Sequence, residues 1–447
     1  MIQIKNELTP QTLEKKIRRL FELSAAKIRS IDQTWSPSAG APVFTIGGRY
    51  TSRGWTEWTQ GFQFGSEILQ FDATGDEVFL EAGRNHTAAY MAPHISHIGV
   101  HDHGFNNIST YGNLLRLMNE SRLQENQWER NFYELALKCS GAIQASRWSR
   151  TASGGGYIYS FNGPHSLFVD TIRSLRALAV SHKLGHMLMA ENDQRISLLQ
   201  RVIEHAQSTA QYSVYYGEGR DIYDVRGRTA HESIFNVNDG NYRCPNSQQG
   251  YSPFSTWTRG LAWAMCGFAE QLEFFATLPV VEPSIESTIR KAAEATCDFY
   301  IGYSPTDGIP YWDTGAPNLY KLGDWENKPA DPFNEHEPVD SSAAAIAAQG
   351  LLRLGKYLNN NRYWQAGLTI CDTLFDEPYL SADPGHQGLL LHSVYHRPNG
   401  WDAVPGHGKV PHGEACMWGD YHGREVALYL LRLAGNGPYL TFWSHRQ

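Results

Sequence analysis

The chain has 447 residues, of which 41 % are hydrophobic and 19 % are charged, the balance of a folded protein rather than a disordered one. Its formal net charge of −8, without any basic block, gives no reason to expect a nucleic-acid partner or an anionic membrane surface. No uncharged stretch approaches the roughly 20 residues that span a bilayer, and the N-terminus has no secretory pattern, so we expect a cytoplasmic protein.

Helical periodicity recurs along the whole chain. Apolar residues repeat at i, i+3, i+4 and i+7, and Gly, Pro or Asp residues separate the periodic stretches. Strand alternation is confined to short pieces near 157–161 and 389–395. Twelve helices are predicted, near residues 10–32, 59–73, 76–96, 104–122, 125–146, 166–188, 192–215, 255–276, 282–304, 339–357, 360–376 and 419–434.

Twelve consecutive helices suggest six antiparallel pairs. No linker is rich enough in Pro, Ser or charge to separate domains, and no fixed-period repeat favours an open solenoid. We therefore predict an all-α fold, an (α/α)6 barrel of six helical hairpins that forms one domain over residues 1–447. Long irregular stretches, which usually carry function, would crowd one rim of this toroid at 33–58, 147–165, 216–254, 305–338 and 377–418.

Acids and indoles stand in short blocks at the starts of predicted helices, as at Trp58, Asp102, Asp170, Trp257 and Trp263. A fold that gathers helix ends at one mouth would bring them together as a carboxylate pair ringed by aromatics. Acids for proton transfer and flat rings for sugar faces are typical of a carbohydrate site. The six cysteines are isolated from one another, which predicts buried free thiols in a reducing compartment.

Asp102 lies between His101 and His103, just before the helix predicted to begin near Gly104. Three interpretations are open: a helix N-cap, a metal site that uses the two histidines, and a catalytic carboxylate tuned by them. The metal site is disfavoured because no H-E-x-x-H pattern or distant Cys/His pair completes a ligand set. We predict no metal and no cofactor.

Asp170 falls in the first turn of the helix predicted over 166–188. An acid at this position can simply complement the helix dipole, which lowers the pKa of a carboxyl group. A general acid needs a raised pKa, so Asp170 would have to be desolvated or lie near a second carboxylate. Asp102 is the natural candidate for that neighbour.

The segment from Gln249 to Trp263 combines an amide, two indoles and a guanidinium. Trp263 lies one helical turn beyond Arg259 and on the same face. The arginine can stack on an indole for purely structural reasons, or it can form a recess for a sugar carboxylate together with Gln249. His231, in the preceding loop, is either a polar contact of that recess or a solvent-exposed residue.

These blocks together resemble the unsaturated glucuronyl hydrolases, glycoside hydrolase family 88. The matching motifs occur in the same order from about residue 55 to 430. The motif at 255–263 together with the motif at 340–347 is a specific combination. The motifs are W-T-x-G-F at 58–62, H-D-x-G-F at 101–105, Asp170 opening the next helix, S-T-W-x-R-G-x-A-W at 255–263, P-Y-W-D at 310–313, D-S-S-A-A-A-I-A at 340–347 and G-D-Y at 419–421.

The resemblance implies an (α/α)6 barrel that removes a Δ4,5-unsaturated glucuronic acid from the non-reducing end of lyase-generated oligosaccharides. A carboxylic acid protonates C4 of the C4=C5 bond, water adds at C5, and the hemiketal opens to expel the remaining glycan. The resemblance implies that Asp170 is the acid/base and Asp102 the second essential aspartate. Substrate contacts are expected from Trp58, His101, Phe161, His231, Gln249, Trp257, Arg259 and Trp263.

The chain also departs from the family pattern, mainly around the subsite next to the scissile bond. Ser174 stands where Asn is common, Phe161 where a Trp is often found, and His103 where an aliphatic residue is frequent. These changes bear on which leaving sugar is accepted. Alternative functions are an unsaturated rhamnogalacturonyl hydrolase acting on pectin fragments, a polysaccharide lyase and a non-catalytic glycan-binding toroid. Monomer and homodimer both remain open.

Overall fold

A computed structural model describes residues 1–54, 57–406, 408–437 and 441–443. Residues 55–56 and 407, which belong to two of the predicted long loops, lie outside this description. The described residues form fifteen α-helices, several of them short: Pro10–Thr34 (α1), Gln60–Thr74 (α2), Glu77–Tyr90 (α3), Ala92–Ile95 (α4), His103–Asn106 (α5), Asn113–Asn119 (α6), Gln127–Ser146 (α7), Thr171–Ser174 (α8), Arg176–Lys183 (α9), Leu198–Tyr212 (α10), Thr258–Phe275 (α11), Pro283–Tyr303 (α12), Ser341–Leu358 (α13), Asn361–Leu374 (α14) and Met417–Ala434 (α15).

The helices form two concentric rings. The inner ring runs α2, α5–α6, α8–α9, α11, α13 and α15, and it closes because α15 packs against α2. The outer ring is α1, α3, α7, α10, α12 and α14, each packed on the inner helices. The (α/α)6 barrel predicted from periodicity and resemblance is confirmed.

Local sequence accounts for where these helices begin. Thr9 and Thr12 form a reciprocal capping box at the start of α1, and Pro10 occupies the first helical position, where it has no N–H to satisfy. Asp340 accepts hydrogen bonds from Ser342 N and Ala343 N, so it caps α13.

The two rings differ in burial. Every residue of α11 is buried, whereas α1 buries only one face. Small residues let the inner helices approach closely: a Cβ atom at Gly350 would lie 2.8 Å from Cys266 N on the neighbouring helix. The core therefore lies within and between the two rings, and polar side chains at inner positions must find partners there.

Twelve helical regions match the predicted ones, but several of their bounds differ. The helix predicted over 192–215 begins only at Leu198, because Arg195–Ile196 pairs as a strand, and the helix predicted over 76–96 is interrupted at Met91. The helix predicted over 166–188 begins only at Thr171, because Ser166–Phe168 pairs as a strand, and it breaks at Leu175. The segment 389–395 is not a strand and makes only an isolated bridge, between Leu390 and Leu380. The helix predicted over 104–122 contains a π-helical turn, Ile108–Gly112.

The strands are short, and most of them lie between an outer helix and the inner helix that follows it, at the end where the inner helices begin. The hairpin at 188–196 lies at the other end. Three antiparallel hairpins pair β1 with β2, β3 with β4 and β6 with β7, and one three-stranded antiparallel sheet has the order β5-β8-β9. The β5–β8 pairing places His231, immediately before β8, beside Val169 and thus next to Asp170. The strands are Phe44–Ile46 (β1), Arg49–Thr51 (β2), Trp148–Arg150 (β3), Gly156–Ile158 (β4), Ser166–Phe168 (β5), Leu188–Met189 (β6), Arg195–Ile196 (β7), Glu232–Phe235 (β8) and Tyr242–Asn246 (β9).

All six cysteines are free. Four of them are buried, but Cys139 is half-buried and Cys244 is exposed, so the prediction of buried thiols is wrong for these two. Cys244 belongs to the edge strand β9, whose side chains are largely accessible. Within the described residues, no helix has both the length and the apolar character needed to cross a membrane.

Candidate active site

A cavity of about 580 Å³ opens where the inner helices begin. Nine of the ten predicted site residues line it, and only His231 does not. The lining residues are Gly54, Glu57, Trp58, His97, Gly99, Val100, His101, Asp102, Phe105, Phe161, Phe168, Asp170, Gln248, Gln249, Trp257, Arg259, Trp263, Tyr395, His396, Asn399 and Trp401.

Asp102 and Asp170 occupy the same local position on neighbouring inner helices. Asp102 immediately precedes α5, and Asp170 immediately precedes α8. Neither side chain accepts a capping hydrogen bond from its helix, so the N-cap interpretation of Asp102 is wrong. Both are more than nine-tenths buried. Two buried carboxyls that do not cap their helices have a cost in folding stability, which points to a role in chemistry.

His101 joins the two aspartates. Its Nε2 atom lies 3.7 Å from Asp102 Oδ1 and 3.8 Å from Asp170 Oδ1. The ring is packed between Phe161, which stacks on it at 6.0 Å, and Phe168, whose edge meets it at 5.5 Å. Because His101 is only 1 % exposed, the imidazole is held in place between two acids and two aromatic rings.

The surroundings of the three titratable groups shift their pKa values in different directions. Burial raises the pKa of Asp102 to about 6, although His101 and Arg147 oppose this and Asp170 and Glu57 add to it. Burial tends to lower the pKa of His101, but the carboxylates of Asp102 and Asp170 raise it. A proton is therefore available inside this cavity near neutral pH.

The pKa of Asp170 is lowered, contrary to the expectation that it would be raised. Burial does favour its neutral form, but the nearby positive charge of His101, together with His231, outweighs burial. The prediction considered the second carboxylate as the neighbour of Asp170 and omitted the histidine between them. The neutral carboxyl is thus favoured at Asp102.

His103 points away from this group. Its Nδ1 lies 2.9 Å from Ser140 Oγ, and its Nε2 lies 2.8 Å from His97 O. The two histidines that flank Asp102 therefore contact different groups. They do not form the metal-binding pair that the sequence left open.

Aromatic rings wall the cavity on several sides. Trp58 stacks on Trp418 at 5.0 Å, and Trp263 packs against Phe105 at 4.7 Å. Phe161 is 41 % exposed at the mouth, so its ring is accessible to a ligand. Flat apolar rings beside buried acids are suited to holding a sugar ring.

Arg259 is buried, and its terminal nitrogens are already engaged. Nη1 donates to Asp340 Oδ2 at 2.9 Å and to Val394 O at 2.6 Å. Nη2 donates to Gln249 Oε1 and to Tyr395 O, both at 2.8 Å. A substrate carboxylate would have to displace one of these acceptors to reach the Nη atoms, so the geometry favours an indirect role, in which Arg259 orients Gln249.

Arg259 also stacks on indoles, as the structural interpretation suggested. Its guanidinium carbon lies 4.6 Å from the ring centroid of Trp257 and 4.9 Å from that of Trp418. Trp263, expected to frame the guanidinium, packs instead against Phe105 and His422. Arg259 thus supports the indoles of the cavity as well as the amide.

Gln249 directs its amide nitrogen away from Arg259, because its carbonyl oxygen accepts from the guanidinium. His231 supports this segment from behind: its Nδ1 accepts from the backbone N–H groups of Gln248 and Gln249, at 3.0 and 3.2 Å. His231 is only 3 % exposed, so the solvent-exposed interpretation is wrong, and the predicted direct sugar contact is replaced by a position behind the cavity wall.

Sequence reasoning missed the segment that closes the far side of the cavity. Tyr395, His396, Asn399 and Trp401 all line it, and they come from the long irregular stretch 377–418. The length and aromatic content of that stretch predicted a functional loop, but no periodic pattern indicated which of its residues turn inward.

Among the described residues, one group has a geometry that could hold a metal ion: Asp32, Glu67 and His86, on α1, α2 and α3. None of the three lines the cavity. Within the cavity, proton transfer therefore falls to the two aspartates and His101, and the aromatic rings supply flat apolar surfaces.

Comparison with known proteins finds relatives that match most of this chain. The chain is 23 % identical over 369 residues to an unsaturated glucuronyl hydrolase of Formosa agariphila, which covers 82 % of this chain and 78 % of that protein. It is 26 % identical over 397 residues to an unsaturated glucuronyl hydrolase of Bacillus sp. strain GL1, with 84 % and 87 % covered. An unsaturated chondroitin disaccharide hydrolase of Streptococcus pyogenes is 23 % identical over 387 residues, with 83 % and 81 % covered.

Solved structures show the same fold. An unsaturated glucuronyl hydrolase described as specific for heparin superposes with a TM-score of 0.73 at 19 % identity, covering 95 % of this chain and 98 % of the other. The Bacillus sp. GL1 enzyme gives a TM-score of 0.68 at 21 % identity, with 92 % and 94 % covered. No family model matches the chain. Over most of its length the chain is therefore similar in sequence to unsaturated glucuronyl hydrolases, which are glycoside hydrolases, and it has the fold of their solved structures.

Proposed function

We propose that this enzyme removes a Δ4,5-unsaturated glucuronic acid from the non-reducing end of lyase-generated oligosaccharides. The observation that carries the proposal is the buried group of Asp102, His101 and Asp170 at the base of an aromatic cavity. Similarity to the unsaturated glucuronyl hydrolases supports the same substrate class.

The reaction requires a proton at C4 and a water molecule at C5 of the unsaturated sugar. A protonated carboxyl adds its proton to C4 of the enol ether, and water adds its oxygen to C5 while its proton returns to the carboxylate. The resulting hemiketal opens, which releases the leaving sugar with a free hydroxyl. No proton is consumed overall, so one acid/base residue can serve both halves of the reaction.

Asp170 is assigned as this acid/base by the family resemblance, and His101 explains how it is supplied with a proton. His101 holds Asp170 ionised, whereas burial favours a proton on Asp102. A bound uronate brings a further negative charge into the cavity, which raises the pKa values of both aspartates. His101 Nε2 faces both carboxyl groups, so the proton of Asp102 then lies within reach of Asp170. The three groups titrate as one coupled set.

Binding of the sugar is assigned to the walls. Trp58 and Trp263 flank the ring, and the free amide nitrogen of Gln249 donates to the carboxylate end of the sugar. Arg259 fixes that amide, because its Nη2 donates a hydrogen bond to Gln249 Oε1. This is the indirect form of the carboxylate recess expected from the sequence.

One assay tests the function. The enzyme is mixed with unsaturated disaccharides made by a lyase, and absorbance at the enol-ether band is followed. A steady loss of absorbance is expected. A gain on saturated polymer would indicate a lyase, and binding without any change would indicate a glycan-binding toroid. A preference for pectin-derived fragments would instead favour the rhamnogalacturonyl substrate.

A further inference from the structure

The two aspartates are held on separate helices, so something must set the distance between them. Asp102 precedes α5 and Asp170 precedes α8, and the two helices approach closely at Gly104. A Cβ atom added at Gly104 would lie 2.4 Å from Ser174 O and 2.5 Å from Ser174 Cα. Only glycine allows the helices to approach this closely.

Both backbone polar groups of Gly104 are bonded to the segment that follows Asp170. Gly104 N donates to Ser174 Oγ at 2.9 Å, and Arg176 Nη2 donates to Gly104 O at 3.0 Å. Ser174 and Arg176 are completely buried. Because both its N–H and its C=O are hydrogen-bonded to residues 174–176, Gly104 is fixed in position relative to that segment.

Arg176 is itself anchored, because its Nη1 lies 3.3 Å from Glu425 Oε1 on the opposite inner helix α15. The contact at Gly104 is therefore tied to the barrel and not only to its two helices. Gly104 is two residues beyond Asp102, and Ser174 is four residues beyond Asp170, so a shift at this contact moves both carboxyls.

We propose that Ser174 and Arg176 are positioning residues that set the separation of Asp102 and Asp170 by holding both polar groups of Gly104. We call this contact the Gly104 clasp, comprising Gly104, Ser174 and Arg176. The inference rests on the proposed hydration chemistry and extends it by naming what keeps His101 within reach of both acids. Displacements of about 1 Å at a reacting group can cost up to 100-fold in rate.

The test is Ser174→Ala, which removes the acceptor for Gly104 N–H and adds no volume. We expect kcat to fall about tenfold with KM within twofold of the original. The alkaline limb of the kcat/KM profile should also move to higher pH, because His101, the largest influence lowering the pKa of Asp102 and Asp170, loses its fixed contact with them. Arg147 and Glu57 also face Asp102, and they stay unchanged in this variant.

Ser181→Ala is the matched control. Ser181 is equally buried, lies on α9, donates through Oγ to Lys138 O at 3.1 Å, and also faces a glycine, Gly141. Its loss should lower the melting temperature to a similar extent but leave kcat and the pH profile as they were. Ser174→Asn, which restores an acceptor at this position, should recover most of the lost kcat.

Two results separate the possible failures. If Ser174→Ala and Ser181→Ala have the same kinetics while Asp170→Asn is inactive, the clasp is wrong and the proposed function stands. If Asp170→Asn turns over unsaturated disaccharides as fast as the unmodified enzyme, the hydration chemistry is wrong and the clasp falls with it.

Discussion

Two buried charged clusters lie along the same inner helices, and they are built on opposite principles. The first, the aspartate cluster, consists of His101, Asp102 and Asp170 at the mouth. The second, the ion network, lies further along the helices and contains three arginines and three glutamates: Arg173, Arg176, Arg353, Glu270, Glu273 and Glu425. The short α8 connects them, because Asp170 precedes it and Arg173 lies on it.

The ion network balances its charges. Arg173 Nε lies 2.6 Å from Glu270, and its Nη2 lies 2.9 Å from Glu425. Burial would raise the pKa of Glu425, but the guanidinium groups of Arg173 and Arg176 hold it far below its usual range. The aspartate cluster has two acids and a single histidine, and within the described part of the chain no arginine forms an ion pair with its carboxylates. The comparison teaches that buried charge is neutralised where it supports the barrel and left uncompensated where protons must move.

Glu425→Gln should have the largest effect, and it acts on the ion network. Removing this carboxylate takes away one of the two glutamates that Arg173 and Arg176 share, at an expected cost of about 3–5 kcal/mol in the free energy of unfolding. Chemical denaturation measures it. Glu14→Gln, in the exposed pair with Arg18, is the control and should cost no more than about 1 kcal/mol. Equal losses in both variants would contradict the comparison.

Asp102→Asn tests the prediction that the aspartate cluster, unlike the ion network, does not stabilise the fold at neutral or alkaline pH. Because burial raises the pKa of Asp102 to about 6, its favourable contribution is present below about pH 4 and is lost as the pH rises through about 6. A shift of this size corresponds to up to about 3 kcal/mol. The free energy of unfolding of Asp102→Asn should therefore depend less on pH across this window, and at pH 8 the variant should be at least as stable as the original. A variant less stable at pH 8 would show that the ionised Asp102 carboxylate does not destabilise the fold.

Asp170→Asn should lower turnover of an unsaturated disaccharide about 100-fold or more, the scale of lost general acid/base catalysis, equivalent to about 2.7 kcal/mol. The enol-ether absorbance assay measures it, and the melting temperature checks that the fold is intact. Asp239→Asn, on an exposed loop, carries the same chemical change and should retain full activity.

His101→Gln should have a smaller effect, about tenfold in kcat/KM near pH 6. Its distinguishing sign is in the pH profile: His101 lowers the pKa values of Asp102 and Asp170, so without it the alkaline limb should move to higher pH. His103→Gln is the neighbouring control, because its ring bonds to Ser140 and His97 O and does not line the cavity. Identical profiles for the two variants would remove His101 from the cluster.

Much of the site was predictable because its residues stand in recognisable blocks. Asp102 and Asp170 were identified as a pair, and Trp58, Trp257 and Trp263 as its aromatic surroundings. Each lies at or near the start of an inner helix, and helix starts converge in a barrel of hairpins. Trp401 was not predicted, since nothing in an irregular loop of some forty residues indicates which side chain turns inward.

The direction of the pKa shifts was not predictable either. The aspartates were expected to perturb each other, but the ring between them has the greater influence on Asp170. Arg259 shows the same limit: its place beside Gln249 was anticipated, yet four acceptors from three separate segments occupy its Nη atoms.

By itself, the sequence determined the twelve helical regions, the closed double ring and the resemblance to unsaturated glucuronyl hydrolases, because periodicity and ordered motifs are local properties that survive without coordinates. Which acid carries the proton, which guanidinium is already satisfied and how far apart the two aspartates lie were decided only by the tertiary structure. These depend on distances of a few ångströms between segments remote in the chain, and a change of one ångström there alters both a pKa and a hydrogen bond.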